Sequence, residues 1–292
     1  MRPRHHPALF LIWLISAALV RQSLASMPFL PDDQYILGSD SKPQIGIPEG
    51  KVTEFLLKDS KAYPGFEHKW WLYVPAQYNG TTPIALMIFM DGTGLVARDG
   101  KWGSVPAVLN NLIAKRELPI MAAVFIDPGQ SARPVEYESL NANYADFLIN
   151  EILPRVSRFV KITANPEGRG LAGESSGANC AVTAAWERPD QFRKVFSAIG
   201  SFPKLVRGVV GLPPRVQDGK IEPIRIFFQD GSNDKSGPEW GVGAQRSKDL
   251  LTALKNRGYD YRFVFGEGTH SPAHAASIFP DAMRWLWRDY PR

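Results

Sequence analysis

The stretch Ala172-Gly173-Glu174-Ser175-Ser176-Gly177-Ala178 decides how the rest of the chain reads. It holds a G-x-S-x-G pattern with Ser175 at its centre. In that pattern a strand stops in a sharp turn and a helix begins at once, which lifts the serine hydroxyl clear of the backbone. Glycines flank the turn because a side chain there would collide with the strand or helix it brings together. Ala178 to Trp186 follows as a helix of mostly small residues, suited to tight packing on a sheet. Ser175 is the candidate nucleophile, but so short a pattern also arises by chance, so the surrounding chain has to support it.

Working outward, the apolar runs are Val52 to Leu57, His68 to Val74, Ile84 to Met90, Ile120 to Ile126, Arg169 to Gly173, Val195 to Ile199, Ile224 to Phe228 and Tyr261 to Phe265. Runs such as Ile84 to Met90, apolar throughout, suit strands covered on both faces. Helical patterns lie between them. Ser139 can cap a helix with Leu140, Tyr144, Phe147, Leu148 and Ile152 on one face, stopped before Pro154. Trp240 to Arg257 ends with basic residues and then Gly258, a C-terminal signature. Pro280 is read as opening the final helix. This alternation predicts an α/β fold, a mainly parallel central sheet with helices on both faces. In such sheets ligands gather at the carboxyl ends of the strands.

A serine hydroxyl needs a base within hydrogen-bond reach, normally a histidine oriented by a carboxylate. Beyond the N-terminal His5 and His6, the chain holds His68, His270 and His274. His68 sits inside a predicted strand, where a structural or surface role is expected. His270 directly follows the last predicted strand, at a strand's carboxyl end, and is the candidate. The strand before it runs into Gln229-Asp230-Gly231-Ser232-Asn233-Asp234, which offers two carboxylates. Asp230 is close enough to the strand end to shape the turn. Asp234 lies deeper in the loop and is preferred from the chain order Ser, Asp, His. The oxyanion formed on attack needs two backbone donors. The Ser176 amide is one, and the loop Asp91-Gly92-Thr93-Gly94 is expected to supply the Thr93 amide as the other. Trp102 and Trp240 fall in loops near this site and are candidate walls for a sugar or aromatic acyl group, with core packing as the alternative.

These motifs resemble the esterase D/enterochelin-esterase-like branch of the α/β-hydrolases, which includes feruloyl and acetylxylan esterases. The resemblance spans most of the chain. Besides the elbow it rests on Met90-Asp91-Gly92, Arg133-Pro134-Val135-Glu136-Tyr137, Tyr144 to Leu148, Glu151-Ile152-Leu153-Pro154, Gly231 to Asp234 and Gly268-Thr269-His270. An aromatic C-terminal helix with Trp285 and Trp287 follows; Ala178 stands where many members carry a second glycine. The resemblance implies the Ser175, His270 and Asp234 roles and the oxyanion donors, and it makes Arg133 and Glu136 a structural ion pair, with a grip on an acidic substrate as the alternative.

The N-terminus reads as separate from this fold. Met1 to His6 is basic and Ala8 to Val20 apolar, closed by Arg21, shorter than the roughly 20 residues a membrane span requires. Ser23-Leu24-Ala25 offers the small residues of a cleavage site. The expected organisation is a signal peptide over 1–25, an irregular lead-in over 26–50 and one catalytic domain over 51–292. Losing residues 1–25 removes three arginines and no acids, taking the formal charge from +5 to +2. No Lys/Arg stripe marks a nucleic-acid surface. The single cysteine, Cys180, sits in the small-residue helix and reads as a buried, inert thiol. His270 and His274 stand four apart, but Pro272 places His270 in a loop, and no metal or organic cofactor is expected. The expectation is a secreted or periplasmic serine esterase acting on a small-molecule or carbohydrate ester, with no stable membrane association. Acyl transfer on the same fold, or a non-catalytic binding protein, are the alternatives.

Overall fold

A computed structural model describes residues 31–206, 208–234 and 245–292. Its strands are β1 Lys51–Leu57, β2 His68–Val74, β3 Ala85–Met90, β4 Met121–Ile126, β5 Arg169–Glu174, β6 Lys194–Ala198, the hairpin β7 Leu205–Val206 and β8 Val209–Val210, then β9 Arg225–Gly231 and β10 Asp260–Gly266. The helices that bear on the core and the site are α1 Val105–Ala114, α2 Asn143–Phe147, α3 Ser176–Glu187, α4 Gln245–Asn256 and α5 Ala273–Leu286. Eight strands form one sheet in the order β1-β2-β4-β3-β5-β6-β9-β10. The β1–β2 and β2–β4 pairs are antiparallel and every other neighbouring pair is parallel. The expected α/β architecture is the one observed.

The two-residue period of a strand explains the layering. Along β3, Leu86, Ile88 and Met90 enter one core with Cys180, Ala181 and Ala184 of α3 and Tyr144 and Phe147 of α2. Met87 and Phe89 enter the opposite core with Val108, Leu109 and Leu112 of α1 and Phe279, Met283 and Leu286 of α5. Small residues on α3 let its axis lie close to β5.

Two helices depart from their sequence patterns. Leu140 adopts a left-handed φ of 50°, so the chain is still turning where a helix was expected. The Asn143 amide donates to Asn141 Oδ1 at 2.9 Å, and the helix begins there. Nor does Pro154 end it: a π turn over Leu148–Ile152 leads into a further helical turn, Leu153–Val156, with the proline in its first positions. A wider turn and a place where the N–H has no helical partner both relieve what proline disrupts. The final helix starts at Ala273, with Pro280 inside it. Pro280 lies on the buried face beside Phe279, so core packing offsets the lost backbone bond.

Residues 31–50 hold one short 3₁₀ turn, Ser39–Ser41, and are tied down. Asn111 Nδ2 donates to the carbonyls of Asp40 and Lys42, both at 2.9 Å. Arg284 of α5 reaches Asp40 at 2.5 Å and Glu117 at 2.6 Å.

Phe89 is fully buried and its ring stacks on Phe125 at 4.9 Å. Truncation by Phe89→Ala is expected to cost ~3–5 kcal/mol, read as a lower urea midpoint at unchanged slope. A loss under ~1 kcal/mol would show that this face is not close-packed.

Candidate active site

The turn after β5 is where the chain is most constrained. Ser175 has φ 56° and ψ −124°, a conformation disfavoured for any residue with a Cβ. Its N–H donates to the Ala198 carbonyl of β6 at 3.0 Å, which fixes the corner against the sheet. A Cβ on Gly173 would lie 2.2 Å from the Gly177 carbonyl oxygen, so the strand and α3 come together only with glycine there. The serine hydroxyl projects from this corner.

Two chain segments converge on it. His270, from the loop after β10, brings Nε2 to 3.1 Å from Ser175 Oγ. Its Nδ1 lies 2.7 Å from Oδ2 of Asp234, from the loop after β9. With the serine O–H donating to Nε2, the Nδ1 proton points to the carboxylate. Asp234 is fully buried while a third of the imidazole remains open. The two loops are fastened to each other. Ser232 N–H donates to the Gly266 carbonyl at 2.8 Å and Asn233 N–H to the Gly268 carbonyl at 3.2 Å. Asn233 Nδ2 also donates to the Glu267 carbonyl at 2.7 Å. A Cβ on Gly231 would meet the Gly268 oxygen at 2.1 Å, so the contact is backbone on backbone. Asp230 stays with its own turn, its Oδ1 accepting the Gly231 N–H at 2.8 Å.

Ser176 opens α3, so its N–H has no carbonyl of its own helix to bond; its hydroxyl donates to Glu138 at 2.7 Å. The Thr93 amide, the other expected donor, already has a partner. Thr93 N–H donates to Asp127 Oδ1 at 2.8 Å, and its hydroxyl donates to the other oxygen. The reason is strand order. Met90 lies opposite Ile126, so the loop after β3 lands beside Asp127, whose carboxylate takes the amide.

Trp102 is corrected. It is fully buried among Phe89, Phe196 and Phe279, and its Nε1 donates to Glu174 Oε2 at 3.1 Å. It supports the elbow from below instead of walling a ligand. Trp240 lies outside the described residues. The expected Arg133–Glu136 pair is replaced by two others. Arg133 forks onto Asp91, with both N–O distances 2.9 Å, and reaches the Glu174 carbonyl at 3.3 Å. Burial works against its charge, but the Asp91 carboxylate outweighs it and raises the guanidinium pKa. Glu136 turns inward instead, where Oε1 sits 3.0 Å from Nε2 of the fully buried His68 and accepts the Gly129 N–H at 3.0 Å. Asp91 itself is held at φ 57°.

Burial pushes the Cys180 thiol well up, and the Glu136 and Asp91 carboxylates add to it, in keeping with an inert thiol. His274 turns its Nδ1 to Gln229 Nε2 at 3.0 Å, and burial lowers its pKa against the pull of Asp32. Sequence reasoning passed over Asp127, and also Asp32 and Tyr35 in the lead-in. Asp32 receives the Thr269 amide at 2.9 Å across 237 positions. No local pattern signals such a contact.

Gly173→Ala is expected to destabilise the fold by more than ~2 kcal/mol, because the new methyl has backbone on its far side. Thermal melting of the variant beside wild type checks this, and an unchanged midpoint would show that the corner can open.

The crystal structure of the enterobactin esterase FES from Shigella flexneri superposes with a TM-score of 0.68 at 21% identity, over 89% of this chain and 63% of that one. The chain thus spans less than two thirds of that esterase's length. The ferulic acid esterase AmCE1/Fae1A from Anaeromyces mucronatus gives a TM-score of 0.67 at 18% identity, over 88% of this chain and 97% of the other. At these identities the likeness is one of fold, and it is the α/β-hydrolase fold. In sequence, the uncharacterized protein YbbA of Bacillus subtilis (strain 168) is 20% identical over 239 residues, 74% of this chain and 91% of its own. A family profile described as "Putative esterase" matches residues 62–285, a span that takes in the elbow and both loops that meet it, and the chain belongs to that family.

Proposed function

We propose that this chain is an exported serine esterase that works through an acyl-enzyme, with Ser175 as nucleophile, His270 as base and Asp234 as the carboxylate that orients it. The observation that carries the reading is the unbroken hydrogen-bond chain from Ser175 Oγ through both imidazole nitrogens to a fully buried Asp234. A carboxylate that water cannot reach stabilises the imidazolium as it forms and holds the Nδ1–H tautomer.

Attack on an ester carbonyl transfers the serine proton to His270 Nε2, which then delivers it to the leaving alkoxide. Water enters and gives a proton to the same nitrogen as its oxygen attacks the acyl carbon; the acid leaves as Nε2 returns that proton to Ser175 Oγ. The oxyanion is taken by the Ser176 N–H at the start of α3, where the helix dipole adds to it. Thr93 would join as second donor only on releasing Asp127. Export rests on the sequence pattern of residues 1–25 and implies a substrate outside the cytoplasm. Feruloyl and enterobactin-type esters are the classes this reading favours by analogy with the named structural neighbours, and acetyl esters of carbohydrate by the resemblance noted in the sequence.

Hydrolysis of p-nitrophenyl acetate by wild type, Ser175→Ala, His270→Ala and Asp234→Asn tests the machinery. The serine and histidine variants are expected to lose ~10³-fold or more in kcat. Folded wild-type protein no faster than Ser175→Ala, and unlabelled by a fluorophosphonate, would remove the esterase reading. For substrate class, a panel of feruloyl, acetyl-sugar and catecholate esters is expected to include a substrate turned over faster than small thioesters. Turnover confined to the thioesters would exclude these classes.

A further inference from the structure

The base of the proposed triad sits in a loop between the end of β10 at Gly266 and the start of α5 at Ala273. The acid loop fastens it on one side, through the bonds to Gly266, Glu267 and Gly268 described above. The lead-in fastens it on the other. Asp32 Oδ1 accepts the Thr269 N–H at 2.9 Å, and Oδ2 accepts the Thr269 hydroxyl at 2.5 Å and the Ser271 hydroxyl at 2.8 Å. One carboxylate therefore holds both residues that flank His270. Tyr35, whose N–H bonds the Asp32 carbonyl at 3.1 Å, extends the grip. Its hydroxyl accepts the Glu267 N–H at 3.0 Å, and its ring stacks on His274 at 4.1 Å between centroids. His274 in turn meets Gln229 of β9, the strand that leads into the acid loop.

We propose that Asp32 is a positioning residue for the esterase reaction, one that sets the place of His270 through the backbone on either side of it. The inference rests on the triad reading above. Asp32 bonds Thr269 and Ser271, so it acts on the base only through the loop. Partial burial raises its pKa, but the bonds from Thr269 and Ser271 outweigh burial and leave it below the ordinary carboxylate range. It therefore remains an anionic acceptor at any pH where a neutral imidazole can act as base. Removing it leaves an amide and two hydroxyls to be satisfied by water, and frees the loop to carry the imidazole away from Ser175 Oγ. A misplacement of about 1 Å at a reacting group can cost ~10²-fold in rate.

The test uses the chain with Asp32→Ala, Asp32→Asn, Ser271→Ala and the double variant Asp32→Ala/Ser271→Ala. Steady-state kinetics on p-nitrophenyl acetate are run well below each melting midpoint. Asp32→Ala is expected to lower kcat at least ~10-fold and to move KM less than about twofold, since the substrate contacts remain. Asp32→Asn keeps one oxygen for the Thr269 N–H and is expected to retain more of kcat. The double variant is expected to be no slower than Asp32→Ala, because residues acting through one contact are not additive. A folded Asp32→Ala whose kcat is within about twofold of wild type, or a loss carried by KM, overturns the proposal. Should Asp32→Ala fail to fold, Thr269→Val and Ser271→Ala decide the matter: a lower kcat at constant KM supports the clamp, and an unchanged kcat in both overturns it. A folded wild type with neither turnover nor fluorophosphonate labelling takes down the triad reading and this proposal with it. An active wild type indifferent to Asp32 takes down the clamp alone.

Discussion

Close approach of β5 and α3 at Gly173 and Gly177 is the contact on which the remaining geometry depends. With the Gly177 carbonyl pressed where a Cβ of residue 173 would be, the chain turns from strand to helix in one step. Ser175 is left at positive φ. Such strain persists only where the surroundings over-determine it, and here they do. The Ser175 amide is bonded to β6, the Glu174 carbonyl to Arg133 and the Glu174 carboxylate to the buried Trp102. Two core layers, one on each side of the sheet, hold this frame rigid.

Charge inside the protein is arranged to keep that frame from relaxing. Arg133 is only half-buried, and its fork on Asp91 braces the loop after β3 against the elbow. His68 and Glu136 are wholly buried together and join β2 to the helical turn that carries Arg133. These pairs lie around the serine and not on it. Their contribution is to geometry, since a buried pair seldom adds much net stability.

The loops bearing Asp234 and His270 belong to neighbouring strands, β9 and β10, and they reinforce each other by backbone bonds before any side chain is considered. Asp32 and Tyr35 close the arrangement from outside the sheet. Loops held by a rigid scaffold are where function is usually carried, and this site adds a third support from a segment remote in sequence.

Much of this was legible in the residues alone, for a physical reason. The strands announce themselves because a sheet buried on both faces demands continuous apolar runs. The elbow announces itself because only glycine tolerates the approach, and Ser175, Asp234 and His270 each follow an apolar run. These are local constraints, and local sequence records them. Partner choice is different. Arg133 and Glu136 stand three apart on a short helical turn, yet one faces Asp91 and the other the core. Trp102 lies in a loop but is folded under the elbow, and the Thr93 amide goes to Asp127 because β4 lies beside β3. Pro280 sits inside a helix, on its buried face. The sequence by itself determined the sheet, the order of its strands along the chain and the sharp turn at Ser175. Only the tertiary structure decided which charge meets which and that Asp32 reaches Thr269, because those contacts join segments whose separation along the chain carries no record of their distance in space.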